Sequence, residues 1–226
     1  MKRGGVTMNK FTYSYPTKVY FGEGSAKEAL LVELAHTGNT VMLAYGGGSV
    51  KKNGIYDEIR GLLVQAGKNI VEFSGIASNP TYAKVQEGAA LVREQQVDFI
   101  LAAGGGSVID CCKAVSAQAV LAEDLWELEY VKGKFPVQGI PLGAVVTVSG
   151  TGAEMNSGAV ITLKENGKGG FLPPLHPLRY SIRHTQSRFR PCRCSPAPLI
   201  RSAMRWKPFL GIPIRIMCRT TLRWPL

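Results

Sequence analysis

Short apolar runs alternate with longer amphipathic segments of mixed charge over the first 168 residues of the chain. The runs are typical of buried strands, and the segments between them follow the 3.6-residue period of helices. The predicted strands are Lys18–Phe21, Thr40–Tyr45, Asn69–Phe73, Asp98–Ala103 and Gly143–Val148. The predicted helices are Ser25–Ala35, Gly54–Ala66, Thr81–Gln95 and Val108–Ala122. This alternation predicts an α/β fold with a parallel, Rossmann-like sheet and flanking helices.

Two Gly-Gly-Gly-Ser segments each follow a predicted strand, at Gly46–Ser49 and at Gly104–Ser107. The second one opens a predicted helix. Glycine lets a phosphate approach the backbone closely, and a helix N-terminus offers free N–H groups with a positive dipole end. One such segment is equally well explained as a tight turn. Two at the carboxyl ends of strands favour a ligand site, although neither fits the G-x-G-x-x-G fingerprint.

Composition changes abruptly after residue 168. Residues 169–226 contain 11 Lys and Arg but no Asp or Glu, so the whole net charge of +11 lies there. This segment is also rich in proline and cysteine. A break this sharp indicates two segments of different origin.

Several long motifs stand in order within residues 8–168. They are TKVYFGEGS at 17–25, YGGGSVKKNGIYDEI at 45–59, SNPTY at 78–82, LVREQQVDFILAAGGGSVIDCCK at 91–113 and TVSGTGAEMNSGAVIT at 147–162. By these motifs residues 8–168 resemble the iron-dependent (group III) alcohol dehydrogenases, and within them the NADP-dependent butanol dehydrogenase-like branch. The resemblance implies the dehydroquinate synthase-like fold and hydride transfer between NADP and short primary alcohols or aldehydes.

The same resemblance implies a set of cofactor-binding residues. Gly105, Gly106 and Ser107 would hold the pyrophosphate, and Asp110 would accept hydrogen bonds from the cofactor or from the loop. Asn79 and Pro80 would line the adenine end, and Thr147 and Thr151 would face the nicotinamide. The remaining predicted cofactor-binding residues are Gly47, Gly48 and Ser49. Without the family, Asp110 reads as a helix-dipole carboxylate, and the two threonines read as strand and turn residues.

Charge favours NADP over NAD as the cofactor. NAD-selective sites place a carboxylate where it accepts a hydrogen bond from the ribose 2′-hydroxyl and repels a 2′-phosphate. Here Gly46–Ser49 carries no carboxylate and is followed by Lys51 and Lys52. Solvated surface lysines are the alternative explanation.

Iron or zinc is expected in intact family members, held by one Asp and three His of a helical second domain. This chain has only His36, His176 and His184. His36 lies at a predicted helix end, and the other two lie in the basic tail without a neighbouring carboxylate. We therefore expect no metal site and no catalytic residue, and we expect the second domain to be missing.

The basic tail is interpreted as a frameshifted translation of the second domain. Read from the third base of each codon, Leu199–Pro208 permits an Asp-x-x-x-His string, which suits two metal ligands on one helix face. The shift would lie near Gly169–Leu178. Residues 169–226 are expected to be disordered, and a basic arm that binds nucleic acid is the distant alternative.

The remaining expectations concern the start of the chain and its partners. Residues 1–7 are interpreted as translated leader before Met8. No export signal or 18-residue apolar run occurs, so a cytoplasmic protein without a membrane partner is expected. The other partners would be the dinucleotide and a small alcohol or aldehyde. The family forms homo-oligomers, which is doubtful for this chain, and a nucleotide-binding domain without catalysis is the main alternative to an enzyme.

The frameshift interpretation predicts the sequence of the gene. Sequencing across codons 165–185 should show that a change of one or two bases near codons 169–178 restores the Asp-x-x-x-His helix and two later histidines. A downstream third-base frame interrupted by stop codons would contradict it.

Overall fold

The computed structural model describes residues 17–22, 24–148, 150–163, 168–172 and 180–184. Eight strands lie in these residues: β1 (Lys18–Gly22), β2 (Thr40–Tyr45), β3 (Asn69–Phe73), β4 (Phe99–Gly104), β5 (Leu142–Val146), β6 (Ala159–Leu163), β7 (Lys168–Leu172) and β8 (Tyr180–His184). Six of them form one parallel sheet in the order β1-β8-β5-β4-β2-β3. The other two, β6 and β7, form an antiparallel pair.

Five α-helices connect the strands: α1 (Ser25–Glu33), α2 (Ser49–Lys52), α3 (Ile55–Gln65), α4 (Tyr82–Glu94) and α5 (Gly106–Val120). Short 3-10 helices at Leu34–His36 and Ala153–Met155 and a π-helix at Glu127–Val131 complete the described helical segments. None of the described helices is long and apolar enough to cross a membrane.

Both faces of the sheet are covered, because successive side chains of a strand point to opposite faces. All six residues of β4 are buried. Ile100 and Ala102 belong to a core that includes residues of α4 and α5, whereas Leu101 and Ala103 belong to a second core with residues of α1 and α3. The domain is therefore a three-layer sandwich, which explains the uninterrupted apolar runs of its central strands.

Helix α5 is enclosed on nearly every side. It packs against β4, α4 and β6, and all of its residues from Val108 to Ala119 are buried. A helix that is buried all round is expected to be apolar all round. Helix α5 nevertheless contains Asp110 and Lys113, which must therefore find partners inside the protein.

The predicted fold class is confirmed, and each predicted strand and helix has a counterpart in the structure. The sequence analysis did not predict α2, the π-helix at Glu127–Val131 or the strands β6, β7 and β8. Strands β7 and β8 extend past residue 168, the predicted end of the cofactor domain. The domain boundaries and the disorder expected for the rest of the tail stay predictions, and most of that tail lies outside the described residues.

Two helical glycines give a matched test of packing between α4 and α5. A Cβ atom added at Gly88 would lie 2.7 Å from Val115 Cγ2 and 2.9 Å from Phe73 Cζ. Gly88→Ala should therefore lower the free energy of unfolding by about 1–3 kcal/mol, the usual cost of overpacking a core. Urea denaturation monitored by circular dichroism measures this change.

The control is Gly61→Ala in α3, where an added Cβ meets nothing within 4 Å. This substitution should raise the free energy of unfolding by about 0.5–1 kcal/mol, because alanine is the better helix former. Equal effects of the two substitutions would contradict the described packing of Gly88.

Candidate dinucleotide-binding site

The two glycine turns lie side by side at the carboxyl edge of the sheet. Strands β2 and β4 are neighbours, with Tyr45 paired to Ala103 at their carboxyl ends. A Cβ atom at Gly46 would lie 3.5 Å from Val108 Cγ2, so the first turn adjoins the beginning of α5. The expectation that both turns share one edge of one sheet is confirmed.

A cleft of about 300 Å³ opens at this edge. It brings together seven of the predicted cofactor-binding residues: Asn79, Pro80, Gly105, Gly106, Ser107, Asp110 and Thr151. Four residues that the sequence analysis did not select complete its lining: Ser78, Val148, Gly150 and Val160. Three of them, Ser78, Val148 and Gly150, are neighbours of selected residues in the sequence, whereas Val160 lies within the unpredicted strand β6.

Four predicted residues are not among those that line this cleft. Gly47, Gly48 and Ser49 lie in the neighbouring turn, where Ser49 is the first residue of α2. The backbone N–H of Thr147 donates to the Gly104 carbonyl over 3.0 Å, which prolongs the pairing of β5 with β4. These residues border the same edge of the sheet, and no described contact assigns them to the cleft itself.

The first turn of α5 forms one wall of the cleft. The N–H groups of Val108 and Ile109 donate to the Gly105 carbonyl over 3.0 and 3.2 Å. The amides before them lie in the turn where a helix has no internal acceptor. A Cβ atom at Gly106 would lie 2.8 Å from Thr151 Oγ1, so only glycine leaves room for that hydroxyl beside the helix N-terminus. This geometry suits an anion bound by backbone N–H groups.

Ser107 connects this wall to the loop that carries Asn79 and Pro80. Its hydroxyl donates to the Ser78 carbonyl. The hydroxyl therefore has an acceptor within the protein, and its contact fixes the loop against the start of α5. Any contribution of Ser107 to anion binding would come chiefly from its backbone N–H.

Asp110 stands one turn further along α5, with both carboxylate oxygens engaged. Oδ2 accepts from the Val160 N–H over 3.1 Å, and Oδ1 lies 3.4 Å from Lys113 Nζ. Burial raises the pKa of Asp110, while the charge of Lys113 and the Val160 N–H act in the opposite direction. The described contacts of Asp110 are with the β6 backbone and with Lys113, and its predicted role as an acceptor for the cofactor or the loop stays a prediction.

A metal ion does not fit the described residues. Among them, no group of three or more His, Cys, Asp or Glu side chains lies close enough to hold one. His36 belongs to the 3-10 helix Leu34–His36, His184 ends β8, and His176 lies outside the described residues.

Comparisons with known proteins agree with this geometry. The sequence model described as iron-containing alcohol dehydrogenase matches residues 16–178. A probable NADH-dependent butanol dehydrogenase 1 from Bacillus subtilis is 45% identical over 176 residues, which are 77% of this chain and 45% of that protein. The NADPH-dependent aldehyde reductase YqhD from Escherichia coli is 42% identical over 162 residues, which are 71% of this chain and 41% of that protein.

Solved structures show the same relationship. The crystal structure of NADH-dependent butanol dehydrogenase A from Thermotoga maritima superposes with a TM-score of 0.71 and 36% identity, over 78% of this chain and 44% of that one. The chain thus spans less than half the length of these relatives. The family match covers most of the chain and includes every residue that lines the cleft. The chain belongs to the iron-containing alcohol dehydrogenase family.

Proposed function

We propose that this chain is the dinucleotide-binding part of an alcohol dehydrogenase and that the cleft at the carboxyl edge of its sheet holds NADP. One observation carries the proposal. Seven residues chosen from sequence alone line a single cleft at the N-terminus of a buried helix. Ligands of open parallel sheets bind at this edge.

The cradle of the pyrophosphate would be the first turn of α5. Two phosphates need several N–H donors and close backbone approach, which Gly105, Gly106 and the Ser107 backbone supply together with the helix dipole. Asn79 and Pro80 would border the adenine end, on the loop that Ser107 fixes. Thr151 would lie toward the nicotinamide, and Thr147 would follow β5 at the same edge.

The bound dinucleotide would supply hydride transfer to or from a carbonyl carbon. The protein's own task is to hold and orient it and to exclude water. Short primary alcohols and their aldehydes are the proposed substrates of the whole protein, in line with the butanol dehydrogenase and aldehyde reductase named among the relatives. A nucleotide-binding domain without catalysis is the second candidate, favoured by the lack of a metal-ligand group among the described residues.

Cofactor selectivity depends on the two lysines after the first glycine turn, and the structure distinguishes them. Lys51 Nζ lies 4.7 Å from the ring centroid of Tyr56 and 5.1 Å from that of Tyr45. Both tyrosine hydroxyls donate to Glu72, and these bonds, that of Tyr56 first, hold the Glu72 pKa below its usual value. Lys51 is therefore engaged by a neighbouring cluster and is the weaker candidate for a 2′-phosphate.

Lys52 lies against the glycine turn itself. Its Cε would be 3.9 Å from a Cβ atom placed on Gly48. We therefore assign the preference for NADP to Lys52 and to the lack of a carboxylate in Gly46–Ser49. Named relatives include both NADH-dependent and NADPH-dependent enzymes, so membership of the family does not decide between the two cofactors.

A matched pair of substitutions tests the cofactor preference. The parent chain should bind NADP more tightly than NAD in titration calorimetry at low salt. Lys52→Ala should weaken NADP binding by about threefold to fivefold, the effect of one exposed ion pair, and leave NAD binding unchanged. Lys51→Ala removes the same charge one residue earlier and should leave the NADP to NAD ratio near that of the parent. Equal affinities of the parent for both nucleotides would contradict the preference.

Alcohol oxidation should not be detectable with the chain as given. Added Fe²⁺ or Zn²⁺ should produce no NADPH from NADP and butanol, because the described residues offer no ligand set that polarises the alcohol oxygen. Absorbance at the reduced nicotinamide band measures turnover. Gly105→Asp, which puts a carboxylate at the cradle, defines the background, and turnover clearly above it would refute the prediction.

A further inference from the structure

Lys113 is the one lysine among the described residues whose side chain is fully buried, with 0% of it exposed. Its ammonium donates to the Gly158 carbonyl over 2.7 Å and to Asn156 Oδ1 over 3.1 Å, and it lies 3.4 Å from Asp110 Oδ1. A buried ammonium is rare unless it is paired and hydrogen-bonded, and the ammonium of Lys113 has three such partners. The contacts tie α5 to the segment that leads into β6.

The same network reaches the cleft through Asp110. This carboxylate lines the cleft, and its second oxygen holds the N–H of Val160, another lining residue. Lys113 and Asp110 thus grip the segment 156–160 at three points: Asn156, Gly158 and Val160. Because Val160 lines the cleft, the position of this lining residue depends in part on a lysine that does not itself line the cleft.

The charges of the network also matter for the proposed ligand. A pyrophosphate is anionic, and an uncompensated carboxylate beside its cradle would repel it strongly in a site of low dielectric constant. Lys113 supplies the compensating charge. The buried Glu154, in the 3-10 helix Ala153–Met155, also acts to raise the pKa of Lys113 and so favours its charged form.

We propose that Lys113 is a positioning residue for dinucleotide binding, because it offsets the charge of Asp110 beside the pyrophosphate cradle and so allows Asp110 to hold the backbone N–H of Val160 in the wall of the cleft. This inference rests on the proposed function. Burial lowers the pKa of Lys113 and raises that of Asp110, so the environment opposes charging either group, and each favours the charged form of the other.

The experiment compares four versions of the full 226-residue chain. They are the parent, Lys113→Met, the double variant Lys113→Met with Asp110→Asn, and Lys134→Met as a control that removes an exposed lysine. NADP dissociation constants are measured by calorimetry, and thermal midpoints by circular dichroism show that each variant is folded at the titration temperature.

Lys113→Met should weaken NADP binding by about tenfold or more, because it leaves the Asp110 carboxylate buried without its cation. The double variant should recover binding to within about threefold of the parent, since an amide has no net charge yet still accepts from the Val160 N–H. Recovery identifies the charge offset, because the contacts of Lys113 with Asn156 and Gly158 stay lost in both variants. Lys134→Met should bind like the parent.

The outcomes separate the two proposals. If the parent binds NADP and Lys113→Met binds equally well, the Lys113 inference is wrong and the proposed function stands. If the double variant binds as weakly as Lys113→Met, Lys113 acts through packing alone and the charge offset is refuted. If the parent binds neither NADP nor NAD, the proposed function fails and the inference fails with it. Should Lys113→Met not fold, Lys113→Gln takes its place in the same comparison, because it also removes the charge and keeps a donor for the acceptors at Asn156 and Gly158.

Discussion

The enclosure of α5 is the constraint on which the rest of this domain depends. Packed between α4, the sheet and β6, this helix presents its N-terminus at the carboxyl edge while its body completes the core on one face. Close packing around α5 excludes larger side chains at two glycines of the neighbouring elements. Gly104 is fixed by Val108, since an added Cβ would lie 2.6 Å from Val108 Cγ2, and Gly88 of α4 is fixed by Val115. The same helix therefore lines the cleft with its N-terminus and completes the core with its body.

Such a helix can contain charge only if the charge is satisfied internally. Asp110 and Lys113 are spaced i and i+3, so they share a face, and that face meets the backbone of 156–160 rather than solvent. Removing either partner would leave the other buried alone, which costs far more than an exposed ion pair is worth. The pair therefore ties α5 to β6 and to the segment before it. The same contacts hold Val160, which lines the cleft.

Much of this architecture follows from sequence because buried parallel strands leave a simple pattern. The apolar runs at Thr40–Tyr45 and Asn69–Phe73 were predicted to the residue. Segments that depend on tertiary contacts were missed. Strand β6 has only five residues and α2 only four, so neither produces a long periodic signal.

The site was predictable only to the extent that its motifs recur in a family. The two glycine turns indicate a ligand site because they follow strands, whereas no sequence motif indicates the role proposed for Lys113. In a sequence a lysine is expected at the surface, and only its i+3 spacing from Asp110 within a mostly apolar helix could have indicated otherwise. Similarly, the sequence alone does not distinguish the roles of Lys51 and Lys52. They differ because Tyr45, Tyr56 and Glu72, brought together from β2, α3 and β3, engage one of them.

The position of β8 bears on where this domain ends. Within the sheet, β8 lies between β1 and β5 and pairs with both, so it is the strand that joins β1 to the others. The break in composition at residue 168 thus precedes the last strand of the sheet. Among the described strands, β8 is the one that pairs with β1, so the sheet includes residues past the predicted end of the cofactor domain.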